Sequence, residues 1–433
     1  MMARLRNWQR PLAWSSAGAV VGIVAVLVTT AVTSVVNDPG RLEPGPIVIL
    51  SGRDDSLGAQ RQQLVSQWNL LHPQSPARIV ELSALADAQR SEMLARAQSG
   101  RGEIDIFNLD VTWTAEFADA GYIQSLDETR IPVGSFLTGP MDTCRYSGQL
   151  WALPFNTDVG LLYYRSDLLD HPPATWKALE DDVTMMRARS GNDVDGYAGQ
   201  FADYEGLTVN ALELIRGAGG SIVDNQGDVV VEDHLAQVSE GLDRLRVIAP
   251  TGVPELDETS STQLFRSGKA LFMRNWPVAY RSLAQELEGA PAVRFGVAPL
   301  PAGSGVLGGQ NLAVSADTAR PRAARALVEF LTSDRSQQIL FERGGLPATR
   351  KVVYSDQAVR ERYPSPYVAT LEQALEGAEL RPAQPHYARF SQVFRTAIDG
   401  YLRQNAPLPD DIQDQLVGAL KGRLAPAGDN WPR

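Results

Sequence analysis

Asn156, Thr157 and Asp158 stand together at a break in the apolar run YSGQLWALPFNTDVGLLYYRSDLL, residues 146–169. An amide, a hydroxyl and a carboxylate can donate and accept hydrogen bonds, and none is an activated nucleophile without a base beside it. The run reads as a polar turn at Ser147-Gly148, a short strand interrupted by Pro154, and a longer strand ending at Tyr163-Tyr164-Arg165. Ser166 is then placed as the N-cap of a helix. Side chains at such a break can point into a cleft instead of a core. The chemistry open to them is hydrogen bonding.

Other chemistries find less support. No GxSxG elbow supplies a serine nucleophile. His72, His171, His234 and His386 are widely separated and Cys144 is the single cysteine, so neither a metal nor a cofactor is expected. The lone cysteine also rules out internal disulfides. GSGVLG at 303–308 spells a dinucleotide fingerprint, but it follows Pro299 and Pro301 and leads into a strand. The turn 191–196 (GNDVDG) lacks the first ligand of a calcium loop and has Ala202 at the twelfth position. Paired carboxylates leave a glycosidase open on composition alone.

The elements that must hold these residues follow from periodicity. With 433 residues, 44% hydrophobic and 21% charged, the chain is ordinary for a globular protein and long enough for two large lobes. After a linker at 37–46, strands are predicted at 47–50, 78–82 and 104–109. Between and after them come a helix marked by Leu57, Leu64, Trp68 and Leu71, another at 84–99, and a third at 113–120 ended by Gly121. That alternation predicts a mainly parallel sheet with helices on both faces. Further helices are predicted at 174–189, 205–218, 235–248, 278–287 and 321–331, with short strands at 229–231, 270–274 and 312–315.

Arg4, Arg6 and Arg10 precede an uncharged run at 11–37. It is close to the ~20 residues that span a bilayer, and the arginines place the N-terminus inside the cell. A transmembrane anchor with the bulk of the chain outside is expected; a cleaved signal peptide is the alternative. The net charge of −11 disfavours nucleic acid and anionic lipid as partners.

Several segments carry a resemblance: DIFNLDVTWTAEFADAG (105–121), YEGLTVN (204–210), FRSGKALFMRNWP (265–277), LGGQNLAVS (307–315) and GGLPAT (344–349). With the 146–169 run, they resemble the extracellular solute-binding proteins of ABC sugar importers (solute-binding protein family 1), most of all its trehalose- and maltose-binding branch. The likeness covers about 45–405. It implies an α/β, two-lobed periplasmic-binding-protein type II fold with hinge crossings, preceded by the transmembrane helix. The lobes would be 46–154 with 309–347, and 155–308 with 348–433.

The resemblance also implies the site: Asp110, Asn156, Asp158, Tyr204, Glu205, Trp276, Gly309, Gln310 and Asn311, with Asp55 a looser match. Relatives carry tryptophan where this chain has Gln310, so Gln310→Trp is expected to add a stacking face. The residue types agree with the implied ligand. A sugar presents hydroxyls at its edge and weakly apolar C–H faces, which call for carboxylates, amides and aromatic rings. The implied function is extracellular binding of a carbohydrate, a disaccharide, by a monomer that closes on it and serves ABC permease subunits, without enzymatic turnover. A membrane-tethered sensor module and a glycosidase are the rival readings.

Overall fold

The structure, a computed structural model, describes residues 41–191, 193–224, 226–287 and 293–423. The 11–37 run and its expected membrane span lie outside the described residues. Among the described residues no helix is long and apolar enough to cross a membrane. The described residues from Pro44 to Arg423 belong to one compact unit.

Eleven strands are present among the described residues: β1 (Ile47–Ser51), β2 (Ala77–Glu81), β3 (Ile106–Asp110), β4 (Arg145–Tyr146), β5 (Gln149–Leu150), β6 (Leu153–Val159), β7 (Leu161–Arg165), β8 (Asp195–Ala198), β9 (Ala270–Asn275), β10 (Phe295–Pro299) and β11 (Leu307–Val314). The first sheet has the order β2-β1-β3-β11-β6 and the second β10-β7-β9-β8; β4 and β5 form a small hairpin. The predicted parallel pairing holds for β1 with β2 and β3. β11 runs antiparallel to both β3 and β6, so the first sheet is mixed. β1 is buried along its whole length, as its uninterrupted apolar sequence requires.

The chain changes sheets between β6 and β7 through the single residue Gly160. A Cβ at Gly160 would lie 2.1 Å from Glu213 Oε1, so only glycine fits this passage. It returns to the first sheet between β10 and β11. A third stretch, after the left-handed Gly345 that ends the helix Asp334–Gly344, runs beside β6. There the Thr157 N–H donates to the Pro347 carbonyl at 3.2 Å and the Thr349 hydroxyl to the Pro154 carbonyl at 2.9 Å.

Among the described residues, apolar cores sit around these passages. One joins the second sheet to the helices Trp176–Ser190, Glu205–Gly217, Leu235–Ile248, Tyr387–Gln404 and Ile412–Leu420. Another packs Val159, Leu161 and Tyr163 against the aromatics Phe341, Tyr354, Tyr363 and Tyr367.

Three local expectations change. No helix follows Ser166, which begins a turn; the helix starts at Trp176, capped by the Thr175 hydroxyl at 3.2 Å. Pro172 and Pro173 intervene and remove the N–H groups a continuous helix would need. The strand at 229–231 reduces to an isolated bridge between Val223 and Val229. In the helix Gln60–Leu71, Leu71 is exposed, whereas Arg61 takes a buried position.

Candidate functional site

Strand register builds one side of a cleft. Asp110 of β3 stands opposite Gln310 of β11, and Gln310 stands opposite Asn156 of β6. Three polar side chains therefore form a row across the first sheet, with Asp158 opposite Gly308 at its end. β11 approaches β6 closely at Gly309, whose φ is +124°; a Cβ there would fall 2.4 Å from the Asn156 carbonyl oxygen. Glycine is required at 309 for backbone reasons. Facing this row are Trp276, directly after β9, and Tyr204 and Glu205 at the start of the helix Glu205–Gly217. The cleft between them encloses about 420 Å³, the size usual for a small-molecule site.

Its floor is organised by Arg61. The guanidinium donates through Nη2 to Gln310 Oε1 at 2.6 Å and to Asn156 Oδ1 at 3.2 Å. Asn108 Nδ2 donates to the same Gln310 oxygen at 3.0 Å. Arg61 Nε lies 4.0 Å from Asp54 Oδ1, and the guanidinium carbon 5.5 Å from the centre of the Phe155 ring. Burial lowers the Arg61 pKa, against the opposing pull of Asp54, Asp55 and Asp158. Its Nη1 has no hydrogen-bond partner. Asn156 Nδ2 donates to Asp158 Oδ2 at 3.0 Å, whereas Asp158 Oδ1 has no partner.

Burial pushes the Asp158 carboxyl up to about 7, although Arg61 and the Asn156 hydrogen bond act to lower it. Between the ordinary carboxylate range, near ~4, and about 7, the folded protein holds a proton that the unfolded chain has released. This group's contribution to stability is therefore fully present below that window and is lost as pH rises through it. Melting temperatures of wild type and Asp158→Asn from acid to neutral pH check this: the variant should lose part of the decline. Parallel curves for the two proteins would contradict the assignment.

On the opposite wall the Trp276 indole N–H donates to Glu258 Oε1 at 3.1 Å, and the Tyr204 hydroxyl to Glu258 Oε2 at 2.7 Å. Arg381 reaches across the cleft, donating to Glu205 Oε1 at 2.6 Å and to Asp110 Oδ1 at 3.4 Å.

Nine of the ten residues singled out in the sequence line this cleft. Asn311 does not. It is buried on the other side of β11, donating to Thr114 Oγ1 at 3.1 Å and to Thr143 Oγ1 at 3.0 Å. Successive strand residues face opposite ways, so Gln310 and Asn311 cannot share a wall. Among the nine, Glu205, Gln310 and Asp55 already hold other partners. Glu205 is occupied by Arg381, by the Tyr387 hydroxyl at 2.7 Å and by Ser391. Gln310 spends its carbonyl oxygen on Arg61 and Asn108. Asp55 sits exposed at the mouth, paired with Arg53 at 3.0 Å. Asp110 both lines the cleft and accepts from the Thr112 N–H at 2.9 Å, closing the turn before the next helix.

Sequence reasoning missed Arg61, Glu258 and Arg381. Arg61 had a visible signal: it falls on the stripe of Leu57, Leu64 and Trp68 at helical spacing, where a cation is out of place unless something needs it.

Residues 80–363 match the bacterial extracellular solute-binding protein family. The chain belongs to that family. A probable ABC transporter-binding protein of Deinococcus radiodurans is 32% identical over 371 residues, covering 80% of this chain and 87% of the relative. A maltotriose-binding protein of Pyrococcus abyssi is 24% identical, covering 73% of this chain and 68% of its own length. Among solved structures, maltose-bound T. maritima MalE3 superposes with a TM-score of 0.77 at 28% identity, over 87% of this chain and 99% of that one. The mixed α/β arrangement described above is thus the two-lobed periplasmic-binding-protein fold. The names of these relatives describe binding proteins.

Proposed function

We propose that this solute-binding protein captures a carbohydrate of about disaccharide size between its lobes and hands it to the permease subunits of an ABC importer. One observation carries the reading: two buried polar atoms, Arg61 Nη1 and Asp158 Oδ1, lack partners beside a cleft whose opposite wall offers the Trp276 ring. Unpaired buried groups are costly, and a ligand that donates and accepts would satisfy both. Sugar hydroxyls do so, and the C–H face of a sugar fits an indole. The names of the relatives, one a maltotriose-binding protein and one solved with maltose, support the same class.

The lobes are best divided where the chain changes sheets. β6 stays in the first sheet to Val159 and β11 enters it at Leu307. These sheet changes support boundaries near Gly160 and Val306, as an alternative to the 154/155 and 308/309 divisions that the resemblance implies. Closure about these passages would bring Asp110 and Asp158 onto the ligand together with Trp276. The uncharged run at 11–37 would tether the protein as a single-pass anchor, with the binding unit outside the cell.

Asp110→Ala and Asp158→Ala should each cost about 1.5–3 kcal/mol of binding, the scale of hydrogen bonds to charged groups, or roughly ten- to hundredfold in affinity. Calorimetry with maltose and trehalose checks this. Wild-type affinity in both variants would remove these carboxylates from the site.

A further inference from the structure

Arg274 and Glu213 form an ion pair with both side chains 0% exposed. An apolar pair of similar volume would usually serve stability as well or better, so the location of this pair calls for a reason. Arg274 Nε and Nη2 donate to Glu213 Oε2 and Oε1, each at 2.8 Å, and Nη1 donates to Gln200 Oε1 at 3.0 Å. Gln200 donates back to the Arg274 carbonyl at 3.2 Å. Every guanidinium nitrogen is therefore committed, and the plane cannot swing. The guanidinium carbon sits 3.8 Å from the centre of the Trp276 ring, well within cation–π range.

Trp276 is held elsewhere too. Its own N–H donates to Asn275 Oδ1 at 2.8 Å, its carbonyl accepts from the Tyr163 hydroxyl at 2.9 Å, and its indole N–H goes to Glu258. Gly308 leaves the room the ring needs, since a Cβ there would lie 3.0 Å from Trp276 Cζ3. Glu213 meanwhile touches both passages between the sheets. Its Oε1 accepts from the Val306 N–H at 3.3 Å and lies where a side chain at Gly160 would have to go.

We propose that Arg274 is a positioning residue for ligand recognition: clamped by Glu213 and Gln200, its guanidinium holds the Trp276 ring in its ligand-receiving orientation and ties it to the two strand passages. The ligand-binding half of this statement rests on the carbohydrate reading above; the ring-holding half does not. A pair kept only for packing would be replaceable by aliphatic side chains without disturbing the ring.

The test is fluorine NMR of the intact protein labelled with 5-fluorotryptophan, in which the Trp276 signal among the eight tryptophans is assigned by its loss in Trp276→Phe. In the double variant Glu213→Leu/Arg274→Met, that signal should shift and broaden more than the other seven. Maltose or trehalose affinity should fall at least tenfold, and adding Trp276→Ala should then cost less than threefold more. An unmoved Trp276 signal in the folded double variant, or a full additional penalty from Trp276→Ala, overturns the proposal. Should the double variant not fold, Arg274→Lys keeps the charge but not the planar cover, and the same shift is expected; an unmoved signal again overturns it. If wild type binds neither sugar, the carbohydrate reading is in difficulty while the fluorine signal still decides the positioning claim.

Discussion

Arg61→Met is expected to lower unfolding stability by about 2–4 kcal/mol, the scale of losing charge-assisted hydrogen bonds to buried acceptors, and to weaken ligand binding more than tenfold. Methionine replaces the apolar stem but not the donors, so Gln310 Oε1 loses one of its two partners and Asn156 Oδ1 is left without Arg61. Asp54 is partly protected, because it also accepts from the Ser56 and Arg61 backbone N–H groups at 3.1 Å each. Urea denaturation and calorimetry on the same preparation measure both effects. Unchanged stability would mean that the floor network is not held by this cation. The same geometry reverses the expectation for Gln310→Trp: an indole cannot accept from Arg61 or Asn108, so the variant should bind more weakly than wild type. Gln310→Trp would leave the buried Arg61 and Asn108 donors without their shared acceptor.

Trp276→Ala is expected to cost about 2–3 kcal/mol of binding, from ~100 Å² of ring face that a sugar would cover at about 25 cal/mol per Å². That is roughly 30- to 150-fold in affinity. The fold should persist, because the ring is only half-buried and the β9 strand before it is fully packed. A variant that binds as tightly as wild type would move the pocket away from Trp276.

The strands were legible where period and burial agree: β1, β3 and β9 are apolar runs with turns around them, and they appear close to their expected positions. β11 was read only from its apolar half at 312–315, because Gly308 and Gly309 look like loop residues. They belong to the strand, where a Cβ at Gly309 would fall 2.4 Å from the Asn156 carbonyl oxygen and one at Gly308 3.0 Å from Trp276 Cζ3. The 156–158 break was visible in the run itself, and the resemblance led to Trp276 and Asp110. It did not lead to Arg61, Glu258 or Arg381, whose roles arise from contacts such as the one between Arg61 and Gln310, 249 positions apart in the chain. Asn311, which the resemblance implied for the site, lies on the other face of β11 from Gln310, because a strand turns successive residues to opposite faces.

The claim at the centre of this account is that the cleft binds a carbohydrate. Isothermal titration calorimetry of the intact protein against a panel of mono- and disaccharides, with maltose and trehalose included, tests it most directly. The expected result is saturable one-to-one binding of at least one sugar, weakened by Trp276→Ala and with the sugar recovered unchanged afterwards. No measurable binding across the panel, or recovery of a cleaved sugar, would contradict it.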